Sequence, residues 1–216
     1  MTDTVSQPEI REVNRIVVRF AGDSGDGMQL TGERFTSASA LFGNDLATLP
    51  EFPAEIRAPQ GTLAGVSAFQ VQVSDHDITT PGDAPNVLVA MNPAALKNEL
   101  SKLEEAGTII VNRDTFEERN LKKAGYEDNP LETGELSGYT LFEVPMTSLT
   151  KEVCKGIEGI KPRDAERSKN FFALGLLFWI YDRPTQPTKD WLAVKFAKRP
   201  ERALLGLRSE LDLFAN

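Results

Sequence analysis

Arg15-Ile-Val-Val-Arg-Phe-Ala-Gly-Asp-Ser-Gly-Asp-Gly-Met-Gln-Leu-Thr-Gly32 decides the fold, because a β-branched run passes straight into a glycine-rich turn that opens a helix. Ile16, Val17, Val18 and Phe20 are the side chains of a short strand buried in a parallel sheet. Gly22, Gly25 and Gly27 follow, and the chain must turn sharply there. Met28, Thr31, Phe35, Ala38 and Phe42 then recur at steps of three and four, the buried face of a helix that ends near Gly43-Asn44.

Two nucleotide fingerprints fail on this loop. A dinucleotide turn counted from Gly25 has Leu30 where the third glycine belongs. A P-loop needs Lys and Ser or Thr after its last glycine, and Glu33-Arg34 follow Gly32 instead. Asp23 and Asp26 would repel a phosphate, yet an exposed acid at a helix start contributes about 0.3–1 kcal/mol through the helix dipole. The loop therefore has two readings: a tight turn whose acids cap the helix, or a ligand or subunit contact through exposed amides.

Further along, Gly65 to Ser74 alternates, with Phe69, Val71 and Val73 on one side and Gln70 and Gln72 on the other, which predicts a half-exposed strand near a sheet edge. Asn86 to Met91 reads as a buried strand. Asn92-Pro93 reads as helix cap and first turn, Leu96, Leu100 and Leu103 as the apolar stripe, and Gly107 as the stop. With the strand Thr108 to Val111 this makes a βαβ crossover between parallel neighbours. A last strand spans Tyr139 to Val144, and Pro145 starts a polar helix through Lys155 that carries Cys154.

Apolar residues surround the helical stretch after Asn170 as far as Ile180, so it belongs to the interior or to a subunit interface. Residues 44–64 are proline-rich with little periodicity, a long loop of the kind that serves a site. Arg57 in that loop suits a carboxylate, a phosphate or a carbonyl cluster, or else pairs with Glu51 or Glu55. The expected architecture is a single three-layer α/β domain with a largely parallel or mixed sheet, the strand–glycine loop–helix unit first and a helical segment last. Its expected segments are a flexible stretch at 1–14, the domain at 15–198, and a C-terminal helix or linker at 199–216.

Composition narrows the function. The 216 residues carry a net charge of −8, which leaves no polyanion-binding footprint and excludes nucleic acid as the expected partner. No apolar run has membrane length, and the polar start differs from a signal peptide, so the expected location is cytoplasmic. A lone Cys154 cannot build a disulfide, a four-cysteine zinc site or an iron–sulfur cluster, and with His76 distant in sequence it reads as a packed thiol. Eleven acids and five bases lie between Glu99 and Glu143, against seven bases and two acids between Arg183 and Arg208. The basic end is either a solvated face or a contact for an anionic cofactor shared with another subunit. Gly25-Asp26-Gly27 opens like a thiamine pyrophosphate–magnesium motif, but only 16 residues separate Gly27 from Asn44 and a helix fills them. Asp75-His76-Asp77 cannot turn three successive side chains toward one ion and reads as a solvated turn.

Five segments in this order make the chain recognisable: Arg15 to Gly32, Pro50-Glu-Phe-Pro-Ala-Glu-Ile-Arg-Ala-Pro-Gln-Gly61, Val87 to Leu96, Gly107 to Asn112, and Lys169-Asn-Phe-Phe-Ala-Leu-Gly175. Together they resemble the gamma domain of 2-oxoacid:ferredoxin oxidoreductases over roughly residues 14–200, most nearly the 2-oxoglutarate form with gamma fused ahead of alpha. The resemblance implies one part of an enzyme that decarboxylates a 2-oxoacid on thiamine pyrophosphate with Mg2+, passes electrons through [4Fe-4S] clusters to ferredoxin, and makes an acyl-coenzyme A. It implies alpha and beta partners, no cofactor held by this chain alone, no catalytic or metal-binding residue in it, and a coenzyme A-side contact. The residues it places nearest that contact are Gly22, Ser24, Gly25, Asp26, Gly27 and Met28 in one loop and Arg57, Gln60 and Gly61 in the other. If Gly25 adopts positive φ, a β-branched residue there should disrupt assembly or coenzyme A use. Family loops commonly read Gly-Glu-Gly-Gly-Gln-Gly where this chain has Gly22-Asp-Ser-Gly-Asp-Gly27. Fused relatives continue into an alpha domain, so a chain that stops at Asn216 is read as a fragment, a processed piece or a separate subunit. The competing readings are a regulatory module that binds a nucleotide or anion through the glycine loop, and an interaction subunit with no ligand.

Overall fold

The computed structural model describes residues 11–55 and 57–211. In chain order the elements are β1 (Arg15–Asp23), α1 (Met28–Ser39), β2 (Asp45–Glu51), β3 (Val66–Ser74), β4 (Val87–Ala90), α2 (Pro93–Glu99) and β5 (Thr108–Asn112). They continue as α3 (Glu118–Lys123), β6 (Thr140–Val144), α4 (Met146–Val153), α5 (Pro162–Arg167), α6 (Lys169–Ile180), α7 (Gln186–Lys195) and α8 (Pro200–Leu211). The expectation of a flexible start falls largely on residues 1–10, outside the described residues. No helix among the described residues is long and apolar enough to cross a membrane.

The six strands form one mixed sheet in the order β2-β3-β1-β4-β5-β6. β1, β4, β5 and β6 run parallel, while β3 lies antiparallel to both β1 and β2. Alternation along the strands feeds two cores. Val18, Phe20, Val89 and Ile110 meet Met28, Phe35, Phe172 and Phe178 on one face. Ala21, Leu88, Ala90, Ile109 and Val111 meet Ala94, Ala95, Leu96 and Leu121 on the other. Helices on both faces give the three-layer α/β arrangement.

Several local expectations are corrected. β3 is buried along its whole length and sits one strand in from the edge; Gln70 and Gln72 are buried rather than solvated. A polar layer accounts for this: Gln70 Nε2 donates to the Asp83 carbonyl at 2.8 Å and Gln72 Nε2 to the Asp83 carboxylate at 2.9 Å. Residues 45–51, expected as loop, form the edge strand β2, where pairing with β3 sets the backbone and Pro50 is tolerated as on other sheet edges. Phe42 is 55% exposed because the helix tightens into a 3-10 turn at Ala40–Phe42 and stops at the left-handed Gly43. After α2 a 3-10 turn spans Leu100–Lys102, and the residue at positive φ is Ala106, not Gly107.

The crossover from β4 through α2 to β5 is as expected. Asn92 caps α2 by accepting from the Ala95 N–H at 2.8 Å, and Pro93 occupies the first turn. α6 is buried over its first three turns and emerges only at Trp179 and Ile180. Cys154 is buried at the end of α4 beside Ile157 and Leu205.

Candidate functional site

β1 and β4 are parallel neighbours whose following helices leave to opposite faces, α1 to the first core and α2 to the second. A crevice is expected outside the carboxyl ends of two such strands. One is present there, with a volume of about 710 Å³, and Asp23 and Gly25 from the glycine loop border it together with Met91, Asn92 and Pro93 after β4. Gln60 and Gly61 close one side. Thr115 and Asn120 close another, tied to the strand ends by Thr115 Oγ1 donating to the carbonyls of Met91 (3.1 Å) and Asn112 (2.8 Å).

The glycine loop is a clasp, held by its own acids. Asp26 N–H donates to the Asp23 carbonyl at 2.8 Å, and Asp23 N–H donates back to the Asp26 carboxylate at 3.0 Å. Ser24 N–H is spent on the Gly65 carbonyl at 3.3 Å. Both Asp23 carboxylate oxygens accept from Gly61 N–H at 3.1 Å, which pins the loop before β3 against the crevice. Lys169 Nζ meets Asp26 at 2.9 Å and ties the clasp to the start of α6. Three amides, those of Asp23, Ser24 and Asp26, are therefore committed, and the Asp23 and Asp26 carboxylates border the space, which disfavours an anion against this loop. α1 is capped by Gly27 without a side-chain bond, so the acids brace the loop rather than cap the helix.

Positive charge comes from elsewhere. Arg163, Arg167 and Lys169 from α5 and α6 and Lys123 from α3 border the crevice. Two of the three acids there are paired with cations, Asp26 with Lys169 and Glu166 with Lys151 at 3.0 Å, while Asp23 accepts from Gly61. Arg163, Arg167 and Lys123 stand exposed at the mouth. The result is an electropositive rim over a floor of backbone, Asn92 and acid, suited to a ligand with an anionic end and a neutral end.

Of the nine residues expected at the ligand contact, Gly25, Asp26, Gln60 and Gly61 border the crevice. Gly22 lies behind it, with a Cβ built there falling 2.9 Å from the Asp26 carboxylate and 3.1 Å from Met91. Gly27 is the residue at positive φ (78°), backed by Asn170, while Gly25 is not in the left-handed region and its built Cβ meets only Gln60 at 3.7 Å. Backbone strain on substitution is therefore expected at Gly27 and not at Gly25. Ser24 and Arg57 are exposed and outside the lining, and Met28 is buried in the first core. Glu51, offered as a partner for Arg57, is held instead by Arg19 and Lys102. Asn92 and the cations Lys123, Arg163, Arg167 and Lys169 border the crevice outside the expected segments; the cluster of bases at 163–169 is the visible signal for three of them.

Two carboxylates pull stability in opposite directions with pH. Burial raises the Asp23 pKa, helped by Asp26 and opposed by Gly61, Asn92 and Lys169. A raised carboxylate pKa means the folded chain holds the proton more tightly, so this site loses stability as pH rises through the window above 3.8. Burial also pushes Glu51 up, but hydrogen bonds and charge from Arg19 and Lys102 outweigh it and hold it below its usual range. Its contribution is present above 4.5 and is lost as pH falls through the lowered value. Denaturation of wild type and Asp23→Asn between pH 4 and 7 should show the wild type falling relative to the variant as pH rises. A rising difference would contradict the burial of Asp23.

The family described as pyruvate ferredoxin/flavodoxin oxidoreductase matches residues 17–206. The chain belongs to that family. Within it, the chain is 57% identical over 196 residues to the 2-oxoglutarate oxidoreductase subunit KorA of Mycobacterium tuberculosis, a match covering 91% of this chain and 30% of KorA. It is 31% identical over 107 residues to the 2-oxoglutarate synthase subunit KorC of Methanothermobacter thermautotrophicus, covering 49% of this chain and 53% of KorC. Among solved structures, the 2-oxoglutarate:ferredoxin oxidoreductase of Magnetococcus marinus, with 2-oxoglutarate, coenzyme A and succinyl-CoA bound, superposes with a TM-score of 0.68 at 26% identity, over 92% of this chain and 30% of that one. The keto/oxoacid ferredoxin oxidoreductase gamma subunit of Geobacter sulfurreducens shares the fold, with a TM-score of 0.58 at 16% identity over 90% of this chain and 95% of that subunit. The chain thus spans about three-tenths of the length of KorA.

Proposed function

We propose that this chain is the gamma component of a 2-oxoglutarate:ferredoxin oxidoreductase, giving scaffold and the coenzyme A side of the reaction chamber. The observation that carries the reading is the crevice between β1 and β4 with its mouth of Arg163, Arg167 and Lys123. Coenzyme A has phosphates at one end and a neutral pantetheine arm, the division of charge that this crevice offers. The similarity to KorA and to the coenzyme A-bound Magnetococcus enzyme supports the same reading. Alpha and beta parts would supply thiamine pyrophosphate, Mg2+ and the [4Fe-4S] clusters, with ferredoxin as electron acceptor, and the cell compartment is the cytoplasm. The unit proposed for this role is 15–198, with α8 (Pro200–Leu211) leading on toward an alpha domain.

In this role the chain binds and orients. Arg163 and Arg167 would take phosphate oxygens in two-pronged hydrogen bonds, with Lys123 as a third positive point. Asp23, by holding Gly61, keeps Gln60 and Gly61 at the wall, and Asn92 fixes the opposite side at the helix cap. Gly25 and Asp26 complete the floor from the braced loop.

Calorimetry of the chain with coenzyme A, ATP and NAD tests this directly. Coenzyme A is expected to bind best, with affinity falling as salt is raised, and Arg163→Ala with Arg167→Ala should weaken it by about tenfold or more. Tight binding of NAD alone would favour a nucleotide-binding regulatory module instead.

A further inference from the structure

A second, smaller cavity adjoins the crevice. It measures about 230 Å³ and lies where α5 and α6 meet α1, α8 and the residue that ends α7. Arg167 borders both spaces, so they meet at that side chain. Their linings differ: charged and polar groups dominate the crevice, whereas Leu30, Phe171, Phe196 and Leu205 give the second cavity an apolar wall. A volume below the roughly 300–1,000 Å³ of a whole-ligand pocket suits one ring system of a larger ligand.

Asn170 marks this cavity as more than a packing gap. The residue is 6% exposed and borders the cavity, and its carboxamide makes no hydrogen bond among the described residues. Nδ2 lies 2.7 Å from a Cβ built on Gly27, so the side chain is seated against the turn that ends the glycine loop. An amide buried without partners is costly, and a ligand that offers it one donor and one acceptor removes that cost. The edge of an adenine ring carries such a pair, an amino group beside a ring nitrogen, and its face stacks on aromatic side chains such as the half-buried Phe196. Arg202, in the first turn of α8, is exposed beside the cavity and forms no ion pair among the described residues. With Arg167 it outweighs Asp164, the acid on this lining, and so favours an anionic group there.

We propose that the second cavity is a purine subsite for the ligand whose phosphates lie at Arg163 and Arg167. Coenzyme A then runs from its pantetheine arm in the crevice, past Arg167, to an adenine held by Asn170 and Phe196, with Arg202 on the phosphate of the ribose. The inference rests on the coenzyme A reading above and adds to it the end of the ligand that this chain grips and the residues that select it.

The test uses the assembled oxidoreductase, with adenosine 3′,5′-bisphosphate and adenosine 5′-monophosphate as inhibitors. Both should compete with coenzyme A, the bisphosphate more strongly. Asn170→Leu, which removes the amide at nearly constant volume, and Phe196→Ala should each weaken inhibition by both nucleotides about tenfold or more. Arg202→Ala should weaken the bisphosphate to a similar degree and leave the monophosphate unchanged, a selectivity that a merely structural role would not produce. Arg202 is exposed, so this variant answers even if Asn170→Leu fails to fold, and melting of each variant recognises that failure. Competition that none of the three variants alters, or a loss in Arg202→Ala that is equal for both nucleotides, overturns the subsite. If the KM for coenzyme A still rises in Arg163→Ala with Arg167→Ala, the coenzyme A reading survives that result; if it does not, both fall.

Discussion

Glu99→Leu should lose about 3–5 kcal/mol of stability, the largest effect expected for any single substitution here. Arg19 and Glu99 are 2% and 1% exposed and bonded to each other between β1 and the end of α2. Taking the carboxylate away leaves a guanidinium in the sheet with Gln70 at 3.3 Å and with Glu51, whose side chain is 46% exposed and shared with Lys102. Neither replaces a buried acid. The paired change Arg19→Met with Glu99→Leu removes both desolvated charges and should be the more stable variant, closer to wild type than Glu99→Leu alone. Urea denaturation of the two singles and the double measures this. A double variant as unstable as the sum of the singles would show that the pair is not coupled.

Gly32→Val comes next, and the cause is steric. A Cβ built on Gly32 falls 2.1 Å from Phe69 Cδ1 and 2.5 Å from Cγ, atoms of a ring fixed in β3 beneath α1. The ring is 6% exposed and belongs to the first core, so neither helix nor sheet can yield without opening that core. Overpacking of this kind costs about 1–3 kcal/mol, and valine adds its helix-propensity penalty of up to about 0.7 kcal/mol. Gly25→Ala makes the control, because its built Cβ meets only Gln60 at 3.7 Å. Thermal melting should separate them clearly, with Gly25→Ala near wild type. Equal melting temperatures would mean that α1 does not ride as closely on β3 as Gly32 implies.

These two sites also mark where the sequence could and could not be read. The strand–loop–helix unit was legible because Ile16 to Phe20 is a nearly continuous apolar run and Met28 to Ala38 keeps a period of three to four. The unit from Asn92 to Val111 was legible through its cap and proline. Gln70 and Gln72 misled because alternation marks an exposed face only when nothing polar covers it, and here Asp83 does. The strand from Asp45 to Glu51 was hidden by Pro50 and by its place at an edge, where pairing with β3 and not side-chain pattern dictates the backbone.

The glycine loop does border the crevice, but it brings two acids there on a braced backbone. The amides of Asp23, Ser24 and Asp26 are taken up by Asp26, Gly65 and Asp23, and the positive charge at the crevice comes from Arg163, Arg167 and Lys123, more than 90 residues away in sequence. Such convergence follows from packing α5 and α6 beside the loop, which the Lys169–Asp26 pair records and no local pattern encodes. None of the cations between Arg183 and Arg208 borders the crevice.

Steady-state kinetics of the assembled oxidoreductase carrying Arg163→Ala and Arg167→Ala test the central claim most directly. The KM for coenzyme A should rise about tenfold or more, with the KM for 2-oxoglutarate unchanged and reduction of the enzyme by 2-oxoglutarate in the absence of coenzyme A intact. An unaltered coenzyme A KM, or an equal loss toward both substrates, would contradict it.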